Sequence, residues 1–138
     1  MTPSGRNRSF LTRDGIFPRE TSAMTNEEIA RAISGHRFDV AYPYLEDDVS
    51  WTLVGQARLE GREAFIGACE TTLAELDGVS TEFRQFRVLV GEDWVVIDSV
   101  ADYAAADAPT STVASCDLYR FRDGRVSELT SYNIELGD

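Results

Sequence analysis

Four long stretches of alternating apolar and polar residues, at about 79–90, 94–106, 111–122 and 125–135, fill the chain from Val79 onward. Turn signals part them at Gly91-Glu92-Asp93, Asp107-Ala108-Pro109 and Arg122-Asp123-Gly124. Period-two alternation between such signals specifies strands, and links this short specify antiparallel hairpins. A run of long hairpins must twist and coil, which makes one face concave. Its apolar residues then need a cover, and the first half of the chain supplies helices.

Thr25-Asn26-Glu27-Glu28 has the form of a capping box, with Ile29, Ala32 and Ile33 as a helical face and Gly35 as the stop. A second helix is expected over 38–46, with Phe38, Ala41, Tyr44 and Leu45 as its apolar side and Pro43 near its first turn. Residues 49–54 read as a strand. Between Gly55 and Gly61 lies a short polar link. A third helix over 62–76 carries Phe65, Ile66, Cys69, Leu73 and Leu76 on one stripe and ends at Asp77-Gly78. The expected fold is α+β, with three N-terminal helices on one face of a long, curved, mainly antiparallel sheet enclosing a pocket.

At 138 residues there is room for one such core and no second domain. The net charge of −11 argues against nucleic acid and anionic membranes as partners, because both recruit clustered basic side chains. All thirteen basic residues are Arg, a skew that coding bias explains and from which no function is read. No apolar run approaches a membrane span. Cys69 and Cys116 lie far apart without metal-ligand spacing, and no Gly-rich phosphate cradle occurs, so neither metal nor organic cofactor is expected. A reduced, cytoplasmic setting fits two such cysteines. His36 is the only histidine, and without neighbours for a relay it reads as a surface connector residue. Residues 1–23, punctuated by Pro3, Gly5, Gly15 and Pro18, read as an arm before a 24–138 domain. Met24 is an alternative start, and the scattered Phe10, Leu11, Ile16 and Phe17 an alternative partner contact.

Within the alternating strands Asp117 is anomalous, since a carboxylate in mid-strand is disfavoured and its burial is costly unless it protonates or finds donors. Ser115 and Tyr119 share its face. On the preceding strand Ile97, Ser99 and Tyr103 share one parity, and on the last strand Leu129, Ser131 and Asn133 do. With Trp51 they outline a mostly apolar cavity with a few polar groups, roofed by Tyr44 in preference to Tyr42. The competing reading has Asp117 facing solvent or paired with Arg87. The opposite parity, including Trp94, Val96, Val100, Leu118 and Tyr132, would be an apolar outer face, which a homodimer would cover. Asp98, Asp102 and Glu128 share that parity and read as a solvated rim.

Three stretches carry a resemblance: FDVAYPYLEDDVSWTLVG at 38–55, Leu59-Glu60-Gly61-Arg62-Glu63-Ala64, and CDLYRFRDGRVSELTSYN at 116–133. In this order they resemble the nuclear transport factor 2-like superfamily and its SnoaL-like branch, which also contains ketosteroid isomerases and limonene epoxide hydrolases. The resemblance implies a cone-shaped pocket domain, usually a homodimer joined through the outer sheet face. Against the isomerase pattern the general base falls on Thr52, the oxyanion tyrosine on Glu28 and its support on Cys69, and only the second oxyanion-hole acid is matched, by Asp117. Against the hydrolase pattern the polar positions fall on Trp51, Leu53, Ser99, Ala101 and Ser131. The polyketide cyclase carboxylate also lands near Ser131. None of these activities transfers intact. Two readings follow: a cofactor-free isomerase, cyclase or dehydratase using Asp117 on an apolar polyketide, terpenoid or steroid-like molecule, or a non-catalytic ligand-binding or dimerisation module.

Overall fold

A computed structural model of the chain describes residues 23–137, so the expected arm lies, but for Ala23, outside the described residues. Helix α1, Asn26–Ser34, is opened by the reciprocal capping box: Glu28 N donates to Thr25 Oγ1 at 3.1 Å and Thr25 N to Glu28 Oε1 at 2.8 Å. Its closure differs from expectation, because Gly35 has φ −91° and the left-handed residue is His36, at φ 67°. Arg37 N donates to Ala32 O and His36 N to Ile33 O, the paired bonds of a Schellman ending with histidine where glycine is usual.

The expected second helix is a 3₁₀ segment, Phe38–Tyr44, and the extended chain begins at Leu45 instead of Val49. Pro43 has no amide to give and disfavours α backbone at Tyr42, so the segment cannot lengthen as an α-helix. Strand β1 is Leu45–Leu53, and the link after it contains a strand the sequence did not announce, β2, Ala57–Glu60. Gly55, at φ 83°, turns the chain so that β2 pairs back on β1. Helix α2, Arg62–Glu75, follows. Then come β3, Val79–Val90, β4, Trp94–Ala105, β5, Ser111–Arg122, and β6, Arg125–Leu136, within a residue or two of their expected bounds. Asp123 and Gly124, both at positive φ, make the β5–β6 turn that Asp-Gly specifies.

The sheet order is β2-β1-β6-β5-β4-β3. All neighbours are antiparallel except β1 and β6, which run parallel, so the fold is α+β on a mixed six-stranded sheet. The β3–β4 register shifts between Phe83 and Gln85, leaving Arg84 as an extra residue. Strict alternation would send Phe83 and Phe86 to opposite faces. The bulge keeps both on the helix side, where their rings meet edge to face at 5.0 Å.

The core between helices and sheet holds Ile29, Ile33, Phe38, Leu45, Val49, Phe65, Cys69, Val95, Ile97, Tyr119, Phe121, Val126 and Leu129. Helix α2 enters it through Phe65 and Cys69, with Ile66 packed against it. Leu73, expected on the buried stripe, is 39% exposed. No described helix is long and apolar enough to cross a membrane.

Candidate functional site

Opposed positions in neighbouring strands project to the same side of a sheet, so the register decides which side chains converge. Asp117 lies opposite Ile97 of β4 and Ser131 of β6. One step along, Ser115 lies opposite Ser99 and Asn133, and Tyr119 opposite Val95 and Leu129. Strand β1 adds Trp51 opposite Leu129. Thr52 points the other way, its hydroxyl accepting from Arg58 Nη1 at 2.9 Å, so the inward residue of this pair is Trp51 and the residue aligned with the isomerase base is turned out.

These side chains line one cavity of about 340 Å³ between the sheet and the helices. Nine of the ten residues singled out from the sequence are on its wall: Trp51, Ser99, Tyr103, Ser115, Asp117, Tyr119, Leu129, Ser131 and Asn133. Tyr44 is not on it. Its hydroxyl accepts from Met24 N at 3.2 Å, because the 3₁₀ segment ends at Tyr44 and turns that side chain toward the start of the described chain. Tyr42 is also drawn away, donating to Glu70 Oε2 at 2.6 Å. The opposite wall owes its hollowness to α2, which presents Ala68 and Thr72 where a packed helix would present large apolar side chains.

Asp117 is enclosed by protein on nearly every side, keeping a little accessible surface on the cavity wall. Burial pushes its carboxyl above the usual aspartate range, and hydrogen bonds from Ser34 and Ser131 oppose that rise without cancelling it. Two arms reach it. In one, Trp51 Nε1 donates to Ser131 Oγ at 3.0 Å, and Ser131 bonds the carboxyl. An indole N–H only donates, so it occupies one acceptor site of Ser131 Oγ and leaves that hydroxyl's own proton available to the Asp117 carboxylate. In the other, Ser34 Oγ donates to Asp117 Oδ2 at 2.7 Å and lies 2.6 Å from the Tyr119 hydroxyl. Two hydroxyls can exchange the roles of donor and acceptor, so this arm adapts to either protonation state of the carboxyl. Tyr119 itself stays neutral, burial holding its phenol far above the ordinary value, and burial and Asp117 raise Tyr103 as well. Ser115 Oγ donates to Asn133 Oδ1 at 2.7 Å, leaving the Asn133 amide nitrogen free of that bond.

The alternative partner for Asp117 is engaged elsewhere, Arg87 pairing with Asp98 on the outer face. There Asp98, Asp102 and Glu128 are bound to Arg87, Arg84 and Arg120, so the expected solvated rim is a set of cross-strand ion pairs.

Sequence reasoning missed Ser34 and His36. Ser34 closes a helix whose other inward residues are aliphatic, and no spacing rule marks its hydroxyl. His36 is not a surface connector residue: it is half-buried on the cavity wall, its ring 5.8, 6.1 and 6.0 Å from those of Phe38, Phe83 and Tyr103. Burial lowers its pKa below 6.5. Among the described residues no group of His, Cys, Asp and Glu is placed to hold a metal ion.

No curated protein matches the sequence. Among solved structures, a nuclear transport factor 2-like protein of unknown function from Cytophaga hutchinsonii is 28% identical, with a TM-score of 0.68 over 77% of this chain and 93% of that one. A polyketide cyclase candidate from Xanthomonas campestris is 20% identical, with a TM-score of 0.58 over 75% and 83%. An LEH-like epoxide hydrolase from M. tuberculosis is 21% identical, with a TM-score of 0.55 over 75% of each chain. The last two speak for the fold alone. The model of the SnoaL-like domain matches residues 27–129, a span that runs from α1 through both helices to Leu129 on the cavity wall. On that match the chain belongs to the SnoaL-like domain family, with the nuclear transport factor 2-like fold of the 28%-identical structure.

Proposed function

We propose that the cavity binds a small, largely apolar molecule and that Asp117 moves a proton on it, in an isomerase, cyclase or dehydratase reaction without metal or organic cofactor. The observation that carries this reading is a desolvated carboxyl on an apolar cavity wall, supported by two serines. A raised pKa brings a carboxyl closer to neutrality, where it both takes and returns protons efficiently. A carbon acid beside a carbonyl suits it: Asp117 takes the C–H proton, the electron pair moves into a C=C bond and the carbonyl oxygen becomes an enolate. Return of the proton to the same carbon gives exchange, and to a conjugated carbon gives isomerisation.

Proton transfer is testable without the natural substrate. In D₂O the protein should speed loss of the α-C–H signals of 2-tetralone, a two-ring ketone, by at least tenfold over buffer, followed by proton NMR. If 2-tetralone binds and no exchange exceeds the buffer rate, the site is a binding module, the second reading of this cavity.

The outer sheet face enters the same proposal as the surface for a second copy of the chain. Trp94 and Tyr132 are 42% and 46% exposed there, and a two-fold contact would cover them. Sedimentation velocity at micromolar protein should show a two-chain species, and Trp94→Glu should return it to one chain; a monomer in the unaltered protein removes this part of the proposal.

A further inference from the structure

We propose that His36 is the cavity's second reacting group: its free N–H donates a hydrogen bond to the ligand oxygen on which negative charge grows as Asp117 removes the neighbouring proton. This rests on the proton-transfer reading above and names the group that reading lacks.

The backbone is the first observation. A β-carbon-bearing residue at φ 67° is strained relative to glycine, and ending α1 does not require histidine there. Strain at such a site points to a side chain that is needed where it is. The second observation is what surrounds the ring. Phe38, Phe83 and Tyr103 stand around it, it shares the cavity with Asp117, and among the described residues neither nitrogen has a hydrogen-bond partner. A half-buried imidazole that meets no donor or acceptor of the described residues keeps its hydrogen-bonding capacity for a ligand.

Its protonation state suits the role. Burial keeps the ring neutral at pH 7, and a neutral imidazole carries one N–H that can polarise a carbonyl without giving up a full proton. Electrons balance: the C–H pair becomes the new C=C bond, the carbonyl π pair goes to oxygen, Asp117 holds the proton, and His36 stabilises the oxyanion by a hydrogen bond alone. The ligand class is therefore a planar or polycyclic molecule with an enolisable carbonyl, its oxygen near the aromatic group around His36 and its acidic carbon near Asp117.

The experiment uses 2-naphthol, which resembles the enol of 2-tetralone, and 2-methylnaphthalene, which has the same rings without oxygen. Because His36 is the sole histidine, its Cε1–H signal in carbon-proton correlation spectra is unambiguous. It should shift with 2-naphthol far more than with 2-methylnaphthalene. His36→Phe keeps the aromatic packing and should weaken 2-naphthol binding roughly tenfold or more while changing 2-methylnaphthalene less than about twofold. It should slow 2-tetralone exchange by a similar factor with little change in half-saturation. His36→Gly suits the left-handed backbone and should lose the same naphthol affinity with an unchanged or raised Tm. Unaltered naphthol affinity in His36→Phe overturns the proposal and leaves the cavity reading standing. A lowered Tm with intact naphthol binding in His36→Gly assigns the ring to packing and also overturns it. If the unaltered protein binds neither naphthalene, the cavity reading falls first, and this inference with it.

Discussion

Asp117→Asn should abolish proton exchange on 2-tetralone, a loss of roughly 10²- to 10⁴-fold, and yet melt higher than the unaltered protein at pH 7. The two effects have one cause. Burial raises the Asp117 carboxyl above its ordinary 3.8, so the folded protein holds this proton more tightly than the unfolded chain does. The stability from that protonated group is fully present below the unfolded pKa and is lost as pH rises through the higher folded value. Asparagine has no proton to lose and escapes the loss. Its amide also matches the two arms: Oδ1 can accept from Ser131, whose proton the Trp51 bond leaves available, and Nδ2 can donate to Ser34, whose hydroxyl is free to turn. The difference in Tm, variant minus unaltered protein, should be near zero below pH 3.8 and climb to a positive plateau above the raised pKa. A variant less stable at pH 7 would mean that the ionised carboxylate holds the fold together, and Asp117 would then be structural.

The architecture was readable because it rests on periodic signals. Alternation sets the parity of β4, β5 and β6, and so places Ser99, Tyr103, Ser115, Asp117, Tyr119, Ser131 and Asn133 on one wall. The capping box at Thr25 was readable because it is local chemistry between residues three apart. What was not readable depends on single residues without a period. His36 gives no pattern, and only its backbone and its ring neighbours reveal it. Strand β2 is four residues long, and with Ala57, Arg58 and Glu60 it lacks the β-branched and aromatic character that marks longer strands. Pro43 is compatible with a helix at its first turn, and its effect on Tyr42 selects the tighter 3₁₀ form. Helix α2 was readable in length and, but for Leu73, in the face it buries. A stripe spaced by three and four assumes that the whole stripe packs, and here the cavity interrupts it.

That interruption has a measurable consequence, because it leaves α2 held mainly at one end. Phe65 is 1% exposed and its ring lies 4.7 Å from that of Trp51, while further along the helix the sheet-facing residues Ala68 and Thr72 border empty space. Phe65→Ala should therefore cost about 3–5 kcal/mol, the range for truncating a fully buried phenylalanine, whereas Leu73→Ala on the same nominal stripe should stay within about 0.5 kcal/mol. Urea denaturation measures both. The loss should also be local before it is global: amides of residues 62–75 should exchange with solvent faster in Phe65→Ala than those of β4 and β5, since a helix with so few buried contacts opens as a unit. Equal acceleration in helix and sheet would show that the hollow side of α2 is packed more firmly than its small residues imply. Trp51 would lose its ring neighbour in the same variant, loosening the Ser131 arm of the Asp117 network, so the carboxyl should titrate higher still as Ser131 loses its anchor. Docking of α2 and the chemistry of Asp117 are thus coupled through one aromatic contact, and the hollow that admits a ligand is what makes that contact so dominant.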